Sequence, residues 1–375
     1  MLSARIHEYQ NPLTIENTEK PVITKGEQVL VKVGATGLCH SDLHLINGDW
    51  KNSIPLQLPT TPGHEIAGGV EEIEILFLRH TQQRLYGSSI WGMGMRVCVY
   101  CKNGDEQMCN FVKWPGITTN GGFAEYVLVD SYRFLVNVQK NGDNSNEKNE
   151  GSSKLKIEEV APLTDAGLTP YRAIKKIRNL LGPGKNIAVI GIGGLGHYAI
   201  QYAKTIGQSA NVIALDKIDE KLQLAKRMGA DFTINMSSSQ IKYQGGEQQL
   251  QRAGGIREKI LEITKGKGIN VVIDCVGTEN TIYDSIRLLS KGGVLVLVGL
   301  FGNQIKMPLV LFVIGEYSVI GSLWGNYNEL CEVIELAKTS GKLKHSIRKF
   351  ALEDINEAIS LLKEGKIVGR AVIVP

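Results

Sequence analysis

The chain has 375 residues, 43% apolar and 21% charged, with a formal net charge of +4. That length predicts two domains rather than one, with enough apolar content for a sizeable core. The small net charge, with no basic arm or stripe, argues against an electrostatic nucleic-acid binder. No apolar run approaches the ~18 residues of a membrane span, and Arg5, His7 and Glu8 interrupt the N-terminal pattern that a secretory signal would need. Six cysteines in a chain this long do not make a disulfide scaffold; their clustering predicts metal chemistry in a reducing cytoplasm.

Residues 29–33 alternate as a short strand ending at Gly34, and several similar runs with Pro and Gly punctuation predict a β-rich region up to about residue 135. From Ile157 the texture changes. Residues 170–181 read as a helix stopped by Gly182-Pro183-Gly184. An apolar run over 187–190 leads into Gly191. After it come a helix over 193–206, a strand over 211–215, a helix over 219–228, and apolar strands over 271–276 and 294–298. Strands alternating with helices predict a parallel sheet covered on both faces. Helices over 327–340 and 352–364 and a strand over 370–374 close the chain. Residues 139–153 and 237–255, rich in Asn, Gln, Ser and Gly, read as surface loops.

Two short motifs carry metal chemistry. Cys39-His40-Ser41-Asp42, with His44 behind it, is followed by Gly63-His64-Glu65. Thiolate and imidazole are ligands that zinc prefers, and a catalytic zinc takes three protein ligands and keeps one position open. Ser41 and His44 stand near the first ligand, where a proton would have to leave a bound alcohol. Farther on, Gly191, Gly193, Gly194 and Gly196 form a glycine fingerprint between a strand and a helix. Such a turn lets the backbone approach a pyrophosphate, which sits on the free N–H groups of the helix N-terminus. Asp216 ends the next strand, where a carboxylate binds both ribose hydroxyls and repels a 2′-phosphate, so NAD is favoured over NADP. Asp216 reads alternatively as a cap ahead of Ile218, and Lys217 beside it softens the preference. Metal and dinucleotide together point to metal-assisted hydride transfer.

On these residues the chain resembles the zinc-dependent medium-chain alcohol dehydrogenases. The resemblance implies an α/β protein: a GroES-like β-rich catalytic domain of residues 1–165 and 325–375, and a Rossmann NAD-binding domain of residues 166–324. It places the third ligand of the catalytic zinc at Asp165, where many members have cysteine; a cap for the helix starting near Gly167 is the alternative. Glu65 would bind the zinc transiently or orient its ligands. Ser41 would pass the alcohol proton to the cofactor ribose and His44 would deliver it outward. His40 and Asp42 would orient their loop near the cofactor phosphates, and Arg370 would contact the pyrophosphate.

Cys98, Cys101 and Cys109 resemble the family's structural-zinc lobe, but its first cysteine position falls on Met95. A thioether is a poor zinc ligand, which leaves a three-thiolate site, a borrowed fourth ligand, or no metal; Asp105 and Glu106 lie nearby but off the pattern. Residues 74–96 also depart from the family, with Glu74 at an expected glycine, as a diverged segment or a reading-frame slip would; a poorly formed hairpin is expected there. Trp50, Trp91 and Trp114 are candidates for the substrate wall, or else core aromatics. Residues 307–314, with Val319 and Ile320, would extend the sheet across a subunit interface or form an internal strand pair. The implied protein is a cytoplasmic homodimer or homotetramer, using zinc and NAD on primary and secondary alcohols and their aldehydes or ketones. A polyol or sugar dehydrogenase of the same fold, or an inactive NAD-binding protein, are the alternatives.

Overall fold

The computed structural model describes residues 1–73, 86–90, 94–138, 155–208, 210–237, 254–302, 304–339 and 343–375. The two surface-loop stretches fall almost wholly outside the described residues, as do Trp91 and most of residues 74–93. The chain forms two compact units, one of Met1–Leu168 with Gly325–Pro375 and the other of Thr169–Trp324.

The first unit is organised by the strand Val29–Leu38. It pairs antiparallel with Glu65–Ile73, with Tyr126–Val129 and with Arg370–Val374, so both chain ends meet in one sheet. The strand does not stop at Gly34. It continues because Ala35 to Gly37 pair with Ala67 to Glu65 on one side and Thr36 to Leu38 pair with Ile373 to Ala371 on the other. Gly34 permits this, since a Cβ there would stand 2.9 Å from the Ile157 side chain. Val29, Leu30, Val31, Ile66, Phe123, Val127 and Val372 are buried around the strand. Within the unusual 74–96 stretch, Tyr86–Ile90 forms a strand that pairs with residues of Glu65–Ile73 and with Leu135–Val136.

The second unit is a six-stranded parallel sheet in the order Phe232–Asn235, Asn211–Asp216, Asn186–Ile190, Ile269–Asp274, Leu289–Leu297, Ser318–Gly321. Its inner strands Asn186–Ile190, Asn211–Asp216 and Ile269–Asp274 are buried on both faces, with Ala188, Ile190, Ile213, Leu215, Val272 and Leu295 in one core. The order reverses between Asn186–Ile190 and Ile269–Asp274, which makes the switch point where open α/β sheets take ligands. One expectation is corrected here. Residues 307–314 are not a strand: Leu309–Gly315 is a helix entered through Pro308, and only Ser318–Gly321 joins the sheet, at its edge. A short continuous apolar run has no periodicity to separate helix from strand. No helix among the described residues is long and apolar enough to cross a membrane.

Candidate functional site

The strand Val29–Leu38 delivers Cys39, which opens the helix His40–Asn47. Three residues into that helix, Asp42 turns back into the protein and is fully buried. One of its oxygens accepts from the Cys39 N–H at 2.8 Å. The other accepts from the Gly63 N–H at 3.2 Å and lies 3.2 Å from His64 Nδ1. A single carboxylate therefore ties the two metal motifs together and fixes the His64 ring, leaving Nε2 to face the site. The bond to the Cys39 N–H orients the loop, and the bond to His64 adds a role at the metal site.

Cys39 Sγ, His64 Nε2 and a carboxylate oxygen of Asp165 lie within 4.8 Å of one another. Asp165 Oδ2 stands 3.8 Å from the sulfur and 3.4 Å from the ring nitrogen. A tetrahedral zinc with ordinary bond lengths separates such ligand atoms by about 3.3–3.8 Å, so the donor set fits the ion. Asp165 follows the short 3-10 turn Ala161–Thr164. The adjacent Ala166 N–H donates to Glu65 at 2.9 Å, which anchors that turn to the zinc motif.

Glu65 is buried behind these ligands. Arg370 Nε donates to it at 2.8 Å, a second guanidinium nitrogen bonds its other oxygen, and Arg370 also lies 3.7 Å from Asp165. Arg370 is buried as well. Its guanidinium meets the carboxylates of Glu65 and Asp165. Burial pushes the Glu65 carboxyl up to about 7 against the pull of Arg370, with Asp165 adding to the rise. Burial also works against a charged His64, but Asp42 and then Asp165 outweigh it and hold the imidazole well above its ordinary value. The two shifts have different causes: burial lifts Glu65, whereas neighbouring carboxylates lift His64 against its burial.

Ser41 Oγ lies 3.7 Å from Cys39 Sγ, beside the ligands. His44 Nδ1 is 2.7 Å from Asp49 and its ring stacks on Trp50 at 4.9 Å between centroids. Asp49 was not singled out in the sequence; only its spacing from His44 around the Gly48 turn could have suggested it. Trp50 thus supports the histidine, and His40 is half-buried at the first position of the helix.

In the other unit, Gly191 has a φ of +85°, as the fingerprint turn requires. A Cβ on Gly196 would collide with the Gly191 carbonyl carbon at 2.9 Å, so only glycine lets the helix Gly196–Thr205 start so close to the strand. Around Gly193, by contrast, nothing lies within 4 Å of such a Cβ, which leaves the backbone approachable. Gly194 sits between them, half-buried. Asp216 does not cap the following helix directly. It accepts from the Ile192 N–H at 2.6 Å and from the Lys217 and Ile218 N–H groups at 2.7 and 3.0 Å, so it braces the fingerprint from the neighbouring strand. The Lys217 side chain is exposed.

Cys98, Cys101 and Cys109 gather with their sulfurs within 4.8 Å of one another. Cys98 and Cys101 are 3.4 Å apart, close to the ~3.7 Å that a shared tetrahedral zinc would impose.

Comparison with known proteins follows the same division. The alcohol dehydrogenase GroES-like domain family matches residues 25–140, and the zinc-binding dehydrogenase family matches residues 194–339. An NAD-dependent alcohol dehydrogenase of Sulfurisphaera tokodaii is 38% identical over the whole of both chains. A D-arabinose 1-dehydrogenase (NADP(+)) of Saccharolobus solfataricus is 32% identical over all of this chain and 97% of its own. The crystal structure of the alcohol dehydrogenase from Aeropyrum pernix superposes with a TM-score of 0.85 at 34% identity, covering all of both chains.

Proposed function

The chain belongs to the family of zinc-binding alcohol dehydrogenases with a GroES-like domain, and from that premise we propose that it interconverts primary or secondary alcohols and their aldehydes or ketones by hydride transfer with NAD. The observation that carries the proposal is the convergence of Cys39, His64 and Asp165, with a hydroxyl and a histidine placed to move a proton. Zinc held by those three ligands would polarise the alcohol oxygen and lower its pKa, and NAD would accept the hydride.

The remaining work belongs to the protein. Asp42 holds the His64 ring so that Nε2 is the ligating nitrogen. Arg370 balances the charge of Glu65 and Asp165, which would otherwise repel at short range. The Ser41 hydroxyl would take the alcohol proton while releasing its own to the cofactor ribose, and His44, oriented by Asp49, would deliver it to water. The N-terminus of Gly196–Thr205, with Gly191, Gly193 and Gly194, would receive the cofactor phosphates. Asp216, with Lys217 beside it, meets the adenosine ribose and directs the choice toward NAD. Arg370 reaches a cofactor phosphate only if it shares its guanidinium with Glu65.

Exposed Leu309, Val310, Val313 and Ile314 lie beside the edge strand Ser318–Gly321, an apolar, unpaired sheet edge that supports assembly into a homodimer or homotetramer. Six free cysteines support a cytoplasmic setting.

The test is a substrate panel on protein purified without chelator, with NAD and NADP compared. Turnover of simple alcohols with NAD, lost together with bound zinc in Cys39→Ser, supports the reading. NAD binding without zinc or turnover would leave an inactive dinucleotide-binding protein. The acidic ligand Asp165, together with the likeness to a D-arabinose dehydrogenase, favours a polyol or sugar substrate as the second reading. A higher kcat/KM for sorbitol, threitol or arabinose than for simple alcohols would select it.

A further inference from the structure

The three-cysteine lobe has a preorganised sulfur cluster and lacks an evident fourth ligand. Met95, at the family's first cysteine position, is 41% exposed, and its contribution to the cluster is a backbone N–H directed at Cys109 Sγ over 3.5 Å. Phe111 donates to the same sulfur at 3.4 Å. Both N–H donors converge on Cys109 Sγ, and three thiolates this close together repel one another unless a cation sits among them.

The adjoining carboxylate is unusual. Glu106 begins the 3-10 turn Glu106–Met108, and its carbonyl accepts from the Cys109 N–H at 2.9 Å. Its Oε2 is buried and has no hydrogen-bond partner among the described residues. A Cβ built on Gly94 would lie 2.9 Å from Cys101 Sγ and 3.1 Å from Glu106 Cβ, so the thiol and the base of this side chain border one small space. Asp105, the other nearby acid, is engaged by Gln107 at 3.2 Å. The Gln107 amide oxygen is buried too, but it is neutral and a weaker zinc ligand than a carboxylate. A buried carboxylate oxygen without a partner is costly, and a metal ion would remove that cost.

We propose that Glu106 supplies the fourth ligand to a zinc held by Cys98, Cys101 and Cys109, replacing the cysteine that position 95 lacks. In the present rotamer its oxygens are not among the ligand atoms within 4.8 Å of one another, so the proposed ligation requires the side chain to turn to another staggered well, toward the space it shares with Cys101 beside Gly94. The lobe is separate from the hydride-transfer chemistry, so its ligand set stands or falls independently of substrate turnover.

The experiment uses the full chain, with zinc counted per subunit, release to a chromophoric chelator followed in time, and X-ray absorption at the zinc edge. Two zincs are expected, with one ion in a shell of three sulfurs and one oxygen. Glu106→Ala should weaken retention of that ion at least as much as losing an outer-shell partner does, about 10–100-fold, and leave the other ion in place. Adding Met95→Cys to that variant should restore retention, which separates a lost ligand from a misfolded lobe. Three results overturn the proposal: one zinc in the unaltered protein, equal retention in Glu106→Ala, or loss on Met95→Ala.

Discussion

Asp42 carries more of the metal site than its place in a loop motif suggests. It is buried, and it binds the Cys39 backbone, the Gly63 backbone and the His64 ring at once. Asp42→Asn keeps the shape but gives the ring a neutral partner with a competing donor. We expect zinc retention and kcat/KM to fall about 10–100-fold, measured by chelator competition and steady-state kinetics. Unchanged retention would make Asp42 merely a loop anchor. Asp284 presents a different residue-scale effect. Burial pushes its carboxyl up to about 6, with Arg287 and Lys217 pulling it down and Asp274 pushing it up. Its folded pKa thus lies above the unfolded value of about 4, so the native state binds the extra proton between them. Stability contributed by the protonated form is present below about pH 4 and is lost as the pH rises to about 6. Asp284→Asn should remove that loss and be the more stable protein at pH 7. Urea unfolding of both proteins from pH 4.5 to 7.5 reads this; a constant difference between them across that window would refute it.

At the scale of elements, the metal site depends on how closely the strands Val29–Leu38 and Glu65–Ile73 approach. A Cβ on Gly37 would come within 2.7 Å of the Glu65 carboxyl carbon and 2.9 Å of its Cβ. Gly37 therefore makes room for the Glu65–Arg370 pair. We expect Gly37→Ala to cost about 1–3 kcal/mol through displaced side chains, read by denaturant unfolding, and to lower turnover. The glycine fingerprint was legible in the sequence because its constraints are local: a turn, a helix start and a strand end are adjacent in the chain. The long strand and the helix Leu309–Gly315 were not. Residues 35–38 become strand through partners on Glu65–Ala67 and on Ala371–Ile373, the latter more than three hundred positions away, and residues 309–315 offer an apolar run with no period to read.

At the scale of the whole chain, assembly is the open property. Leu309 is 80% exposed, Val313 76% and Ile314 65%, a concentration of apolar surface unusual for a solitary subunit. The unaltered protein should measure as a dimer or larger by light scattering. Val313→Asp should shift it toward monomer with its zinc content kept, and a monomeric parent protein would leave this surface without a role in self-assembly. The first unit also needs both chain ends. Arg370–Val374 lies between Ile347–Ala351 and Val29–Leu38 and brings Arg370 to Glu65, 305 positions earlier in the chain.

The sequence by itself determined the kinds of ligand available, the fingerprint turn with Asp216 after it, and the alternation of strand and helix that builds a parallel sheet. All of these are set by residue type and short spacing, where local sterics and hydrogen bonding decide the outcome. Tertiary structure alone decided that Asp165, 126 positions from Cys39, stands at ligand distance, that Asp42 unites the two metal motifs, and that Arg370 neutralises Glu65. Those contacts depend on sheet register and on close backbone approach. Neither leaves a mark in the spacing of residues along the chain.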